Sequence, residues 1–292
     1  MVDLRISGLR QIISWWPRSK EKIMGNPSFF HRISHALFER LLPDVIVPVP
    51  IVLGPLRGLL IEINLRWERQ FIYGNYEFEM MKAIQDFVKP GNVVYDVGAH
   101  VGYFTLLISI LAGPKGYCFA FEPSPPVSQR LETNIHKNKW KLDANVQIMK
   151  MALFDEVGER EFFLGGSTST GRLTRFAENV PREKLVVVPL STIDNLTKAG
   201  IPAPQVIKID VESAEDHVIR GAIHTLKKTA PVLLCEIHSV EAGLNVFGIL
   251  KGINYSIRDL KTGHIWNRED KVAKGHIVAV RAEANQKVWT NN

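Results

Sequence analysis

The chain has 292 residues, 46% hydrophobic and 23% charged, which excludes dominant disorder and suffices for one large core with an appended subdomain. Its two cysteines, Cys118 and Cys235, sit in apolar runs, so they read as reduced core thiols of a cytoplasmic protein and not as a disulfide framework. The net charge is +6, and residues 1–40 hold seven basic and three acidic side chains, a local surplus of seven minus three that suits an anionic membrane surface, a nucleic acid, a phosphorylated substrate or a plain solvated face.

Leu9, Ile12, Ile13 and Trp16 fall on one helical face, and Pro17 ends that segment. Trp15 and Trp16 beside the arginines make it a candidate for peripheral membrane contact, with core packing as the alternative. Asn26-Pro27-Ser28 opens a second helix carrying Phe30, Ile33, Leu37 and Leu41. Residues 45–65 read as extended. No transmembrane helix is expected, because Pro43, Asp44, Pro48, Pro50, Pro55 and Arg57 break the apolar stretch 41–63. The start of the chain also lacks a signal-peptide layout. Met80, Ile84 and Phe87 mark a third amphipathic helix, closed by Lys89-Pro90-Gly91.

From residue 93 strands and helices alternate. Strands are expected at 93–97, 117–121, 146–150, 206–209 and 231–237, with closing strands at 253–258 and 277–281. Helices are expected at 103–111, around Val127, Leu131 and Ile135, through Ala214, Val218, Ala222 and Leu226, and around Val240, Leu244 and Phe247. This alternation implies a doubly wound, parallel α/β sheet with helices on both faces and a helical N-terminal extension. The expected domains are 1–75, helical and extended, and 76–292, which carries the ligand site. Within the latter, 151–205 is an insertion. It contains hairpin strands near 161–164 and 185–189 and a Gly-Ser-Thr-rich stretch at 165–172 that reads as a lid.

The strongest motif is Asp96-Val97-Gly98-Ala99-His100-Val101-Gly102, directly after the first sheet strand. Glycines at 98 and 102 suit close approach of a ligand. Glu122, at the end of the next strand, can accept hydrogen bonds from two ribose hydroxyls. NAD and S-adenosylmethionine both carry such a ribose. The G-x-G-x-x-G spacing of a dinucleotide site is not met, and Asp96 suits the cationic end of S-adenosylmethionine better than a pyrophosphate.

Asp96–Phe104 (DVGAHVGYF), Phe121–Pro126 (FEPSPP), Tyr76-Glu77, Asn134, 152–158 (ALFDEVG), 191–196 (STIDNL), 208–215 (KIDVESAE) and 235–238 (CEIH) together resemble the FkbM-type S-adenosylmethionine-dependent methyltransferases. The resemblance implies a Rossmann-like class I methyltransferase sheet. It also implies a cofactor site of Asp96, Gly98, Ala99, His100, Gly102, Glu122, Ala152 and Asp155, with the last two near the adenine. Methylation of an oxygen on a small molecule, a sugar or a glycan follows from it too. His100 stands where the family more often has Asn, and both tolerate unusual backbone angles. Ser213 replaces a usual glycine and reads as a helix cap.

The catalytic candidates are His238, Glu212, Asp210 and Glu236, all at the carboxyl ends of two adjacent strands. His238 is the first choice of base, because an unperturbed imidazole titrates near neutrality; Glu212 is the second. No fixed-spacing ligand motif appears, so no metal is expected. His31, His35, His136, His217, His224, His264 and His276 read as surface or packing residues. Three alternatives stay open: an RNA methyltransferase, a non-catalytic cofactor-binding scaffold and an NAD-dependent oxidoreductase. Nucleic acid is the less expected partner, for lack of stacking platforms.

Overall fold

The computed structural model describes residues 43–165, 171–174, 181–267 and 274–282. The helices expected at 9–16 and 26–41 lie outside these residues, as does most of the 165–172 stretch. Ile46–Asn292 forms one compact unit.

At its centre are seven strands: β3 (Val93–Val97), β4 (Tyr117–Phe121), β5 (Asn145–Met149), β10 (Val206–Ile209), β11 (Val232–Ile237), β12 (Tyr255–Asp259) and β13 (Gly275–Arg281). Their order is β12-β13-β11-β10-β3-β4-β5. The five strands from β11 to β5 run parallel, as expected. β13 differs: it runs antiparallel to both β11 and β12 and inserts between them. The chain winds outward from β3 to β5, then returns to place β10 on the other side of β3. This reversal opens a crevice beyond the carboxyl ends of β3 and β10, the usual ligand position in such sheets.

Parallel strands covered on both faces should be continuously apolar. Tyr95, Val97, Phe119, Phe121, Ile207, Ile209, Leu233 and Cys235 accordingly form one buried cluster. Asp96 and Lys208 break the rule. They are register partners on β3 and β10, and both are buried.

α2 (Tyr103–Ala112) buries eight of its ten residues, matching its all-round apolar sequence. α1 (Phe78–Phe87) buries Met80 and Ile84, and α3 (Pro125–Lys137) buries Val127, Leu131 and Ile135, both as their spacing predicts. One helical expectation needs correction. The helix after β10 is two short ones, α5 (Glu215–Arg220) and α6 (Ile223–Thr229). They part at Gly221, where a Cβ would lie 2.0 Å from the Phe154 carbonyl oxygen, so the chain there abuts another backbone. In α7 (Val240–Gly252), the stripe Val240–Leu244 faces outward at 51% and 54% exposure, while Ala242, Gly243, Val246 and Leu250 are buried.

The insertion contributes a second sheet of β6 (Ala152–Leu153), β7 (Gly158–Phe163), β8 (Arg172–Leu173) and β9 (Leu185–Ser191), in the order β6-β9-β7-β8. β7 and β9 are antiparallel, the hairpin strands expected from sequence. Thr192 caps α4 (Ile193–Lys198) by accepting from the Asn195 N–H.

Residues 46–75 belong to the same compact unit as the sheet. β1 (Ile46–Pro50) and β2 (Leu60–Asn64) pair antiparallel. Two asparagines of the α3 region hold β2. The Glu62 N–H donates to Asn134 Oδ1 at 2.7 Å, and Asn138 exchanges two bonds with the Leu60 backbone. Asn134 Nδ2 also donates to the Val101 carbonyl, tying the hairpin to the loop after β3. Glu68 is 1% exposed and accepts from both Arg130 guanidinium nitrogens and from the Asn64 N–H. Removing one partner of a buried pair strands the other charge. Glu68→Ala should therefore destabilise the protein by about 3 kcal/mol or more, read as a lowered urea midpoint, and Glu68→Ala/Arg130→Met should recover part of the loss.

Candidate active site

A cavity opens at the carboxyl edge of the sheet. The loop after β3 contributes Gly98, Ala99 and His100, and the end of β4 contributes Glu122, Pro123 and Ser124. Met151, Ala152 and Leu153 add an apolar wall. Asp210, Val211 and Glu212 come from β10, and Glu236 and His238 from β11. The 3-10 turn Arg69–Tyr73 and the chain after it supply Phe71, Tyr76 and Glu77, and the insertion supplies Phe162, Arg172 and Leu173.

The loop after β3 is built by hydrogen bonding. The Gly98 and Ala99 N–H groups both donate to the Phe121 carbonyl, and the His100 N–H donates to Glu122 Oε2 at 3.0 Å. His100 adopts φ 51°, as the residue type allows. The two glycines have reasons other than ligand approach. Gly98 has φ 75°, and its absent Cβ would lie 1.8 Å from the Asp210 carbonyl oxygen. Gly102 has φ 90°, and a Cβ there would meet Leu131 at 2.5 Å. Internal packing requires them.

Asp96 is 0% exposed and does not line the cavity. It lies beneath the loop, accepting from Thr105 Oγ1 at 2.6 Å and pairing with Lys208 Nζ at 3.3 Å. Lys208 also donates to the Gly98 carbonyl at 2.8 Å and lies 3.5 Å from Asp210 Oδ2. Burial alone would lower the Lys208 pKa, but Asp96 and Asp210 outweigh it and hold the ammonium charged. Asp155 also stands off the cavity, 2.7 Å from His217 Nδ1. The structure thus brings Gly98, Ala99, His100, Glu122 and Ala152 together, and places Asp96 under them and Asp155 outside.

Glu122 is 6% exposed. Burial raises its pKa to about 7, against the opposing pull of the Ser124 and His100 N–H bonds. Those bonds fix the carboxylate and leave further lone pairs for a diol. The Ser124 Oγ is buried without a hydrogen-bond partner among the described residues, so it too can meet a polar group.

The far end of the cavity is ionic. From β4 to β11 is three strand spacings, about 14 Å. His238 Nδ1 bonds Glu215 Oε1 at 2.7 Å, and its Nε2 lies 3.5 Å from Asp210 Oδ1 and 3.8 Å from Glu236 Oε1. Burial would lower the His238 pKa, but the Glu215 hydrogen bond and the charges of Asp210, Glu215 and Glu236 outweigh it and lift it to about 9. His276, read from sequence as a packing residue, belongs to this site. It is the register partner of Glu236 across β11 and β13, with Nε2 3.4 Å from Glu77 and 3.6 Å from Glu236. Burial opposes its protonation, yet bonds to Glu236 and Glu77 raise it to about 10.

Glu212 lines the cavity, and burial pushes its carboxyl pKa up. It has φ 51° and Ser213 has φ 78°. Ser213 does not cap α5; its N–H donates to Glu215 Oε1. Sequence reasoning assigned no role to Lys208, Glu215, Glu77, Arg172 or His276. Charged residues inside apolar strands were a usable signal for Lys208. His276 had none before the antiparallel pairing was known.

The methyltransferase FkbM domain model matches residues 96–257, more than half the chain, and the chain belongs to that family. The fold is Rossmann-like, a mostly parallel sheet with helices packed against it. The chain is 26% identical to the hexuronic acid methyltransferase AglP of Haloferax volcanii, over 56% of this chain and 63% of that protein. It is 27% identical to the 31-O-demethyl-FK506 methyltransferase FkbM of Streptomyces tacrolimicus, over 58% of this chain and 75% of that one. A crystal structure of methyltransferase FkbM from Methylobacillus flagellatus KT aligns at TM-score 0.45 and 14% identity, over 68% of this chain and 50% of that one. The chain thus spans less than two thirds of AglP and half of the crystallised protein.

A β-carbon disfavours the left-handed backbone of residue 213. Ser213→Gly keeps the N–H bond to Glu215 and should stabilise the protein by about 1 kcal/mol, raising Tm by about 2–4 °C in calorimetry.

Proposed function

We propose that the protein methylates a hydroxyl group of a sugar or small molecule, using S-adenosylmethionine. The observation that carries this reading is Glu122, a buried carboxylate held by two backbone N–H groups at one end of a cavity whose other end is lined by carboxylates. The residues fit the cofactor. Glu122 and the unpartnered Ser124 hydroxyl suit a ribose, Met151–Leu153 suit a flat base, and Glu77 suits a cation.

When bound, S-adenosylmethionine supplies an electrophilic methyl group on a positively charged sulfur. The chain's part is to place the acceptor oxygen in line and take its proton. Glu212 is the base we favour. It lines the cavity, burial pushes its carboxyl pKa up, and it adjoins the strained turn at Ser213. As the O–CH3 bond forms, the S–CH3 electron pair returns to sulfur and the hydroxyl proton passes to Glu212. Arg172 lines the same end, its Nε buried and unpartnered, placed to meet an acidic or polar substituent of the acceptor. AglP and FkbM, by their names, act on a hexuronic acid and on 31-O-demethyl-FK506, which supports this substrate range. Among the described residues no helix is long and apolar enough to cross a membrane, and peripheral contact through the basic segment 1–40 stays part of this proposal.

Calorimetry with S-adenosylhomocysteine, with NAD as comparator, tests the cofactor site. Glu122→Ala should lose at least tenfold in affinity, about 1.4 kcal/mol. Binding of NAD alone, or of neither, would refute the reading. The carboxylate accepts from the ribose, so below its pKa a proton must first leave. Affinity should therefore be flat above pH 7 and fall by up to tenfold per unit below it. Glu212→Gln should bind S-adenosylhomocysteine normally and lose about 10²–10⁴ in kcat. Full turnover would move the base elsewhere, and a wild type inactive on every acceptor would mark a binding protein.

A further inference from the structure

We propose that Asp210, Glu236 and His238 bind one divalent metal ion at the acceptor end of the cavity, leaving coordination positions open to the acceptor's hydroxyl groups. The second half of this proposal rests on the methyltransferase reading; the metal site itself does not.

Asp210, Glu236 and His238 each offer a ligand atom, the three within 4.8 Å of one another, and all three residues line the cavity. His238 Nε2 is 3.5 Å from Asp210 Oδ1 and 3.8 Å from Glu236 Oε1. These are separations that one ion can draw together. In each residue the other polar atom is already committed. Asp210 Oδ2 faces the Lys208 ammonium at 3.5 Å. Glu236 Oε2 faces His276 Nε2 at 3.6 Å. His238 Nδ1 is bonded at 2.7 Å to Glu215 Oε1, a residue with 0% exposure. Metal-binding histidines almost always give their second ring N–H to such a carboxylate, which fixes the tautomer and aims the free nitrogen. A packing histidine has no need of a fully buried glutamate behind it.

Glu77, Glu236 and His276 form a neighbouring trio that shares Glu236. Glu77 and Glu236 line the cavity, while His276 lies behind them and is not among the cavity-lining residues. Its part is to hold the outer oxygen of Glu236 and turn the inner one toward Asp210 and His238. The donor set of two carboxylates and one imidazole suits a first-row divalent ion such as Mn²⁺. Three protein ligands leave positions for a hydroxyl oxygen. An ion there would lower the hydroxyl pKa and make its proton easier for Glu212 to take.

The experiment is titration of the chelator-treated full chain with Mn²⁺ alone, following the free-ion signal by electron paramagnetic resonance. S-adenosylhomocysteine binding is measured on the same samples. One Mn²⁺ per chain is expected, with ¹⁴N coupling from one imidazole in the wild-type complex, a readout that requires no variant to fold. His238→Ala and Glu236→Gln should abolish that binding, and Glu215→Gln should weaken it about 10–100-fold. All three should still bind S-adenosylhomocysteine. A wild type that binds S-adenosylhomocysteine but leaves Mn²⁺ free to millimolar concentration would overturn the metal site and spare the cofactor reading. Binding that lacks nitrogen coupling, or that persists in folded His238→Ala, would place the ion elsewhere and also overturn it. Site-specific Mn²⁺ binding without S-adenosylhomocysteine binding would support the metal site and overturn the methyltransferase reading.

Discussion

The buried ammonium of Lys208 is the interaction on which the rest of the site depends. It stands in register with Asp96 across β10 and β3, at the point where the winding of the sheet reverses. A crevice opens there because consecutive helices cross to opposite faces. An opening at the centre of a sheet needs something to hold its lips in place. From β10, Lys208 joins Asp96 on β3, Asp210 at the end of its own strand and the Gly98 carbonyl of the loop above. The buried charges compensate one another, and the loop position is fixed by the same contacts. The Asp96 carboxylate therefore acts beneath the ligand site and shapes it from below.

From that anchor the cavity divides into two ends of different chemistry. At the β4 end, Glu122 is held by backbone N–H groups in apolar surroundings, which suits recognition of a neutral diol. At the β10–β11 end, carboxylates and imidazoles gather around one another, which suits a cation and the removal of a proton. Three of the six described non-glycine residues with positive φ, Glu77, His100 and Glu212, line this cavity. Ser213 adjoins it. Such backbone is unfavourable and persists only where surrounding contacts impose it. The N-terminal hairpin takes part through Asn134, Asn138 and the Glu68–Arg130 pair, so the cavity wall and the fold share the same bonds.

Legibility in the sequence followed the range of the interactions. The helices of 103–112 and 125–137 and the five parallel strands were readable because local periodicity and apolar runs reflect burial directly. The site residues after β3, β4, β10 and β11 were readable because a parallel sheet delivers all its carboxyl ends to one edge. In α7 the apolar Val240 and Leu244 are exposed, while the sheet is met by the face of Ala242, Val246 and Leu250. Spacing locates a helix, but the neighbouring layer decides which face is buried.

The sequence by itself determined the class of fold, the loop at 96–102 and the four ionisable groups at 210, 212, 236 and 238. Each of these rests on near neighbours along the chain. Only the tertiary structure decided what those groups are bonded to. The proton on His238 depends on Glu215, 23 residues before it, and the orientation of Glu236 depends on His276 from an antiparallel strand 40 residues later. Ionisation and ligand geometry are set by charges within a few ångströms in space. Residues far apart in the chain become such neighbours only when the strands pair.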